Sequence, residues 1–482
     1  MPSSPSEDFQ WLQPLQDSTL LLVTTNARMR NQVEHFLVTK LNHDLQTVWQ
    51  MKFEQPIFSS LVQVGSESNF IYLLFGVRDS PSLFLYTLDA TTGKTWLTLH
   101  DLPNEDLPLT GRNVTKMTVN QGMILLSTLE NGTSMVLRLN PAEKEIQLLP
   151  AVYGFQEQLI DFKVDPFTKA TEAAVTESVL YNPRLQLKRF TFEGQILDNR
   201  FLPSGKNNSL QQVLIAPGAP ENKLVFGTYG FQNNLHSQGF FSANLAGEFQ
   251  FFSLGQLQHF FAYDHTAKTR KMERKYRHRI EKEKPVPATS QVLLHPILAH
   301  PQGFVVVGEV YSSKYTQLPY LPESTSYYQG GVIDGVFKTS SPGLPLAKNN
   351  SGLYVSYHFR SAVVLLFDRE GNLLWDNSYA INKHTALLQP NVKATVTSSG
   401  EVLLAAFNTG TLHYRSFTAN GTISSKEPIA LQDTNKLKKQ PSDTPEGLVK
   451  WYGSHFVAYN FERAKNENGK SHTIFTLQKF SF

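Results

Sequence analysis

The chain of 482 residues contains no cysteine, which excludes disulfide frameworks, thiolate nucleophiles, cysteine zinc sites and iron–sulfur clusters together. Charge is scarce too: Asp, Glu, Lys and Arg make up 18% of residues, and 44 basic against 41 acidic side chains leave a formal charge of +3. That balance argues against a globally basic nucleic-acid binder and against an acidic tail. No apolar run approaches the roughly 20 residues of a spanning helix; stretches such as Leu20-Leu21-Leu22-Val23 are strand-sized, so a transmembrane chain is not expected. The P-loop, the dinucleotide glycine fingerprint, the GxSxG elbow, HExxH and the EF-hand loop are all missing, and neither a cofactor nor a metal is expected. The opening MPSSPSEDFQ shows no basic segment followed by an apolar one. The expectation is a protein working outside the cytoplasm, periplasmic or secreted, whose signal peptide is not present in this chain.

Apolar residues are plentiful, at 40% with 12% aromatic, enough for a large core. They fall into a recurring unit: an alternating run, an Asx/Gly turn, then a second run that often carries Trp. Copies include HFLVTKLNHDLQTVW at 35–49, SLFLYTLDATTGKTW at 82–96, LQLKRFTFEGQILDNRFL at 185–202, AVVLLFDREGNLLW at 362–375 and LHYRSFTANGTI at 412–423. Leu41, Leu88, Leu139, Phe192, Leu245, Phe367 and Phe417 mark the turns; they recur about every 50 residues, with one interval longer by about 70.

Two further strand-like runs precede most hairpins, for example LVQVG then NFIYLLFGV. Four antiparallel strands per repeat at this period predict an all-β fold, a β-propeller of four-stranded blades in one domain over residues 1–482. The absence of sustained 3.6-residue periodicity disfavours parallel α/β folds. Eight blades are favoured over seven, the last incomplete. The run FQWLQPL either begins the first sheet or completes the last.

The long interval holds two insertions. In the first, 256–287, residues 264–284 contain nine Lys/Arg against four Asp/Glu, and Met272, Tyr276 and Ile280 recur every four residues. This predicts a charged helix lying on a blade by one narrow stripe and ending before Pro285. Arg270, Lys271, Arg274, Lys275, Arg277 and Arg279 are candidates for contact with an anionic surface. Tyr276 as the helix's one aromatic argues against base stacking. The second, 311–357, is expected as a long loop over the ring mouth and concentrates Tyr311, Tyr315, Tyr320, Tyr327, Tyr328, Tyr354 and Tyr357. Rigid rings with polar tips suit recognition of a protein or a sugar, and long loops in compact folds are commonly functional; the alternative is a loop packing its aromatics against itself.

Candidate catalytic acids are weak: Glu309 within FVVVGEVY, Asp334 and Asp376. An acid in an apolar run is either solvated at a strand end or paired. Asp161 and Asp165 are placed on one strand face, as a carboxylate pair, a cation site or solvated edge charges, and His295 and His300 are expected to be structural.

LYTLDATTGKTW at 85–96 resembles the quinoprotein-type propeller repeat through Asp89, Thr92, Gly93 and Trp96, with Trp one position early; Trp49 and Trp375 echo it. That resemblance implies a Trp docked between blades and carries no quinone activity. The C-terminal half, from FFAYDHTAKTRKMERKYRHRIEKEK through VVVGEVY, FRSAVVLLFDREGNLLWDNSYAIN and WYGSHFVAYNFERAKN, is similar to an uncharacterised family of exported β proteins of Bacteroidota, which implies export and no catalytic assignment. The expected function is a non-catalytic binding or scaffold protein of the cell envelope, recognising a protein or glycan through loops on one propeller face. The alternatives are a polysaccharide-acting enzyme using funnel carboxylates, and a cytoplasmic scaffold.

Overall fold

A computed structural model describes residues 7–482 apart from 31–32, 57–58, 78–79, 103–113, 131–132, 144–145, 150–156, 180–181, 204–207, 220–221, 232–235, 287, 318–352, 386–387, 409, 426–428, 431–445 and 466–470. Strand pairing divides them into eight antiparallel sheets, each built from a contiguous stretch: blade 1 (7–56), blade 2 (59–101), blade 3 (114–148), blade 4 (157–203), blade 5 (208–253), blade 6 (291–385), blade 7 (392–430) and blade 8 (447–481). The chain is an eight-bladed, all-β propeller with one described helix.

Hydrophobic burial explains the ring. A lone four-stranded sheet leaves both faces wet, and these strands carry apolar side chains on both, as in FIYLLFGV of blade 2, buried from Ile71 to Gly76. Each face is covered by a neighbouring blade, and one apolar cluster fills each interface. Val23 and Val38 of blade 1 meet Ile71 and Leu73 of blade 2; Leu125 and Val136 of blade 3 meet Phe162 and Ala173 of blade 4; Val305 and Val364 of blade 6 meet Val402 and Leu404 of blade 7. At about 25 cal/mol per Å² of apolar surface, these interfaces between blades are the main driving force of the fold.

The run FQWLQPL belongs to blade 1, where Trp11 and Leu12 pair with Val23 and Leu22. Blade 8 has three described strands. The ring closes face to face: Leu12, Leu20 and Leu41 pack on Val449, Trp451 and Val457, and the Trp451 indole donates to Thr19 O at 3.3 Å.

Two devices join consecutive blades. The first lies in the outer turns. Gly93 (φ 73°) and Gly421 (φ 77°) adopt left-handed backbone, and a Cβ on either would sit about 3.0 Å from Trp49 or Trp375. Those indoles donate across the interface to Ala90 O at 3.1 Å and Ala419 O at 2.9 Å. Trp96 occupies the matching place in blade 2 yet stays 44% exposed, with the Lys94 ammonium over its ring.

The second device lies on the innermost strands. In blades 1 to 5 the pairing of first and second strand carries a β-bulge, which bends the strand and re-aims a side chain. Beside the bulge, Gln63 donates to Thr115 O at 3.1 Å, Lys116 donates to Phe162 O, Asp161 accepts from Ile215 N at 3.2 Å, and Gln212 accepts from Leu294 N at 2.7 Å. Each is a side chain of one blade satisfying backbone of the next.

Antiparallel alternation fixes two opposite faces. Turns from first to second and from third to fourth strand share one, the turn face; connections from second to third strand, and from one blade to the next, share the other. The described parts of both insertions lie on this second face.

Candidate functional site

The second and third strands of blade 6, Gly303–Gln317 and Leu353–Phe367, are 15 residues each, against 7 to 11 for the second strand of every other blade. Register continues to Gln317↔Leu353. The expected loop at 311–357 therefore starts and ends as an extended hairpin arm, because the tyrosines at its base have β propensity and a cross-strand partner. Outward of Ser313↔Tyr357 the arm is two-stranded.

The tyrosines separate by position. Tyr311 is buried and packs on Phe359 at 5.4 Å and edge-on to Tyr357 at 5.9 Å; with Leu293 they form a satellite core that anchors the arm. Tyr315 and Tyr354 lie in the arm strands, in register with Val355 and Thr316. Tyr320, Tyr327 and Tyr328, like Asp334, lie outside the described residues.

At the arm's base Arg360 is skipped by both neighbouring strands: Val310 pairs Ser361 while Tyr311 pairs Phe359, and on the other side Ile381 and Asn382 are skipped, Asn382 at φ 48°. The extruded Arg360 acts electrostatically on Tyr263 and Tyr276, which belong to the other insertion. Burial pushes the Tyr276 hydroxyl up to about 12, with Arg360 opposing it.

That insertion forms the helix Ala267–Glu281, capped at its start by Thr266, whose side chain accepts from Thr269 N. Tyr276 is buried, and Met272, Tyr276 and Ile280 pack with Leu257 and Phe261 in the core between blades 5 and 6. Gly255 permits the approach, since a Cβ there would lie 2.5 Å from Ile280 Cδ1. Arg270, Lys271, Arg274, Lys275 and Arg277 are exposed. Arg277 pairs with Glu273 at 2.9 Å, and half-buried Arg279 donates to Pro285 O at 3.2 Å. The described parts of both insertions thus share one face.

The described acids are structurally engaged. Asp376 on the outer strand of blade 6 accepts from Gln258 N at 2.8 Å and His259 N at 2.7 Å, pinning the start of the helical insertion. Glu309 is fully buried and accepts from His295 Nε2, Asn391 N, Val392 N and Asn391 Nδ2 at 2.7 to 3.0 Å, so it ties blade 6 to blade 7. Half-buried Lys393 beside it is pulled down to about 8 by burial, against the attraction of Glu309. His300 bonds Gly400 O at 2.8 Å.

The placement of Asp161 and Asp165 on one strand face is corrected. The strand ends at Val164, and Asp165 caps the following turn by accepting from Phe167 N and Thr168 N, each at 2.9 Å. Its other oxygen accepts from Gly218 N at 3.0 Å and Lys223 Nζ at 2.6 Å. Lys223 also pairs with Glu172 at 2.7 Å, and Arg189 stands 3.6 Å from Glu172. Buried Asp165 is desolvated, which pulls its carboxyl upward, but Lys223 and the turn amides outweigh burial and hold it at about 2, below its ordinary 3.8. Burial raises Glu172, with Lys223 opposing. This cluster was missed at the level of sequence; its signal is a charge inside apolar strand patterns, Glu172 in TEAAV and Lys223 before LVF. Among the described residues no group of three or more His, Asp or Glu could hold a metal ion, and no helix is long and apolar enough to cross a membrane.

No family model and no curated protein matches the chain. Among solved structures it is similar to a protein from Lactobacillus plantarum, at 11% identity over 84% of this chain and 95% of that one, TM-score 0.37. It is also similar to a prolyl endopeptidase, at 9% identity over 98% of this chain and 53% of that one, TM-score 0.40, and to prolyl oligopeptidase B from Galerina marginata, at 8% identity over 99% and 56%, TM-score 0.40. The chain spans about half the length of the latter two.

Proposed function

We propose that this chain is a non-catalytic binding propeller that recognises a protein or glycan of the cell envelope through the face bearing the tyrosine-rich arm and the basic helix. The observation that carries the reading is the arm itself: only in blade 6, among the described residues, do two paired strands run 15 residues, and they share a face with a helix that has six exposed Lys and Arg side chains. A rigid ring that supports variable loops needs no reactive constellation for such a role. Glycoside hydrolysis would ask for two available carboxylates about 5–10 Å apart, whereas Glu309 and Asp376 are each occupied by backbone N–H donors. The extracytoplasmic address draws support from the lack of cysteine and the likeness of the C-terminal half to exported proteins.

Replacing residues 318–352 by a short Gly/Ser linker is expected to leave circular dichroism and thermal midpoint unchanged, because the closing pair Gln317↔Leu353 lies beyond the blade core. Against immobilised envelope polysaccharides and envelope proteins, retention by the intact chain and its loss, about tenfold or more, in the deletion variant support the reading. Equal retention, or turnover of a polysaccharide, overturns it.

The helix gives a separate expectation. Adhesion to vesicles containing anionic lipid should fall steeply between about 50 and 300 mM salt, because exposed charges are screened within about 10 Å at 0.1 M. Changing Arg270, Lys271, Arg274 and Lys275 to Gln should abolish it; adhesion that persists in this variant, measured by cosedimentation, removes the helix from the binding face.

A further inference from the structure

The turn face carries a feature that none of the above uses. The ends of the first strands of blades 1 to 4, with the turns that follow, line an open cavity of about 610 Å³ at the mouth of the central channel, within the roughly 300–1,000 Å³ of small-ligand sites. Its walls carry the amides of Gln16 and Gln121 and the hydroxyls of Ser66, Ser68 and Thr118, donors and acceptors in the density that a polyol requires.

Of its charged lining residues Lys163, Lys169 and Glu67, Lys163 donates its ammonium to Ile215 O and Glu67 accepts from Gln121 N at 2.9 Å and Gly122 N at 2.7 Å, joining the turns of blades 2 and 3, so Lys169 is the exposed cation at the rim. Two lining residues bear side chains on left-handed backbone, Gln121 at φ 51° and Lys169 at φ 55°, a strain that persists where surroundings impose it and clusters at ligand sites. The Lys169 turn is fixed from outside, its carbonyl accepting from Asn120 Nδ2 at 2.8 Å, and from within by Asp165. Between Pro166 and Lys169, both lining residues, the same rigid turn displays Phe167 at 72% exposure.

We infer that this mouth binds the uronate end of an acidic oligosaccharide: the Phe167 ring meets the apolar face of a sugar, the amides and hydroxyls meet its hydroxyl groups, and the Lys169 ammonium meets its carboxylate. The site lies on the face opposite the arm and is independent of the reading proposed above.

Titration calorimetry of the full chain with trigalacturonate, galactotriose and inorganic phosphate tests it. The acidic trisaccharide should bind about tenfold or more tightly than either alternative. Lys169→Ala should cost the acidic sugar about tenfold and the neutral one less than about twofold, while Phe167→Ala should weaken both by about fivefold. Both side chains are exposed, so the thermal midpoint should not move. Deletion of 318–352 should leave this binding intact, which separates failure here from failure of the arm. No binding of trigalacturonate, phosphate binding as tightly as the sugar, indifference to both substitutions, or loss on deleting the arm would each overturn the assignment.

Discussion

Lys223→Met should lower the unfolding free energy by about 3–5 kcal/mol at pH 7, the usual cost of removing one partner from a buried ion cluster. Lys223, Asp165 and Glu172 are each at most 2% exposed, and the ammonium lies 2.6 Å and 2.7 Å from the two carboxylates. Without it two desolvated acids face each other with Arg189 3.6 Å from one of them. The same lysine joins blade 5 to blade 4, so loss of the charge also loosens an interface that apolar packing alone must then hold. Neutralising all three, as Lys223→Met with Asp165→Asn and Glu172→Gln, should recover at least half the loss, because the amide oxygen introduced at position 165 still accepts from Phe167 N and Thr168 N. The pH dependence supplies an independent check. Asp165 is held at about 2 against 3.8, a depressed acid, so its contribution of roughly 2.4 kcal/mol is present above about 3.8 and lost as pH falls through about 2. In Lys223→Met the buried carboxylates gain from protonation instead, and the gap between variant and parent should shrink on acidification. Urea unfolding followed by tryptophan fluorescence at pH 7 and pH 3 measures both; a loss under about 1 kcal/mol, or one independent of pH, refutes this account.

Why the blades were legible and their fastenings were not follows from distance along the chain. A turn writes itself locally: Asp89 accepts from Thr91 N at 3.0 Å and Thr92 N at 2.7 Å, Gly93 takes the left-handed position, and all of this sits within DATTG. The Trp49 and Trp375 docks were partly readable because both the indole and the receiving glycine belong to that repeated turn. Gln63, Lys116, Asp161 and Gln212 look like ordinary polar positions in alternating strands. They acquire meaning only when a bulge turns them toward a partner 46 to 82 residues away, and a bulge leaves no residue signature in this chain. The arm shows the same limit. Its tyrosines were visible, but whether 311–317 continued as strand depended on a pairing with 353–359 across a long connection. The separation of Tyr311, a core residue, from the outer rings is a fact of register. The bulge at Arg360, skipped by both neighbouring strands, lies beyond any local pattern.

Glu309→Ala should be as costly as the lysine change, about 3–5 kcal/mol, and it separates a structural acid from a reactive one. The carboxylate receives two backbone N–H groups from the chain entering blade 7, the Asn391 amide and the His295 ring, with nothing exposed to water. Alanine orphans all four donors; the cost of an unsatisfied buried donor is about 1–3 kcal/mol, so relaxation must reclaim part of it. Glu309→Gln keeps one oxygen for the two backbone groups and places an NH₂ against the Asn391 amide, which an amide flip accommodates, so its cost should be about 1–2 kcal/mol. Lys393 reports the charge separately. It is a depressed base, protonated in both states below about 8, so its burial penalty is full there and relieved as pH rises from about 8 toward 10.5. Removing the Glu309 charge in the glutamine variant lowers Lys393 further, and the stability lost relative to the parent should be larger at pH 7 than at pH 10. A merely packing role for residue 309 predicts a loss equal at both values. If Glu309→Gln instead leaves stability untouched and abolishes turnover of some polysaccharide, the acid is catalytic, and the binding reading of this propeller falls with its structural one.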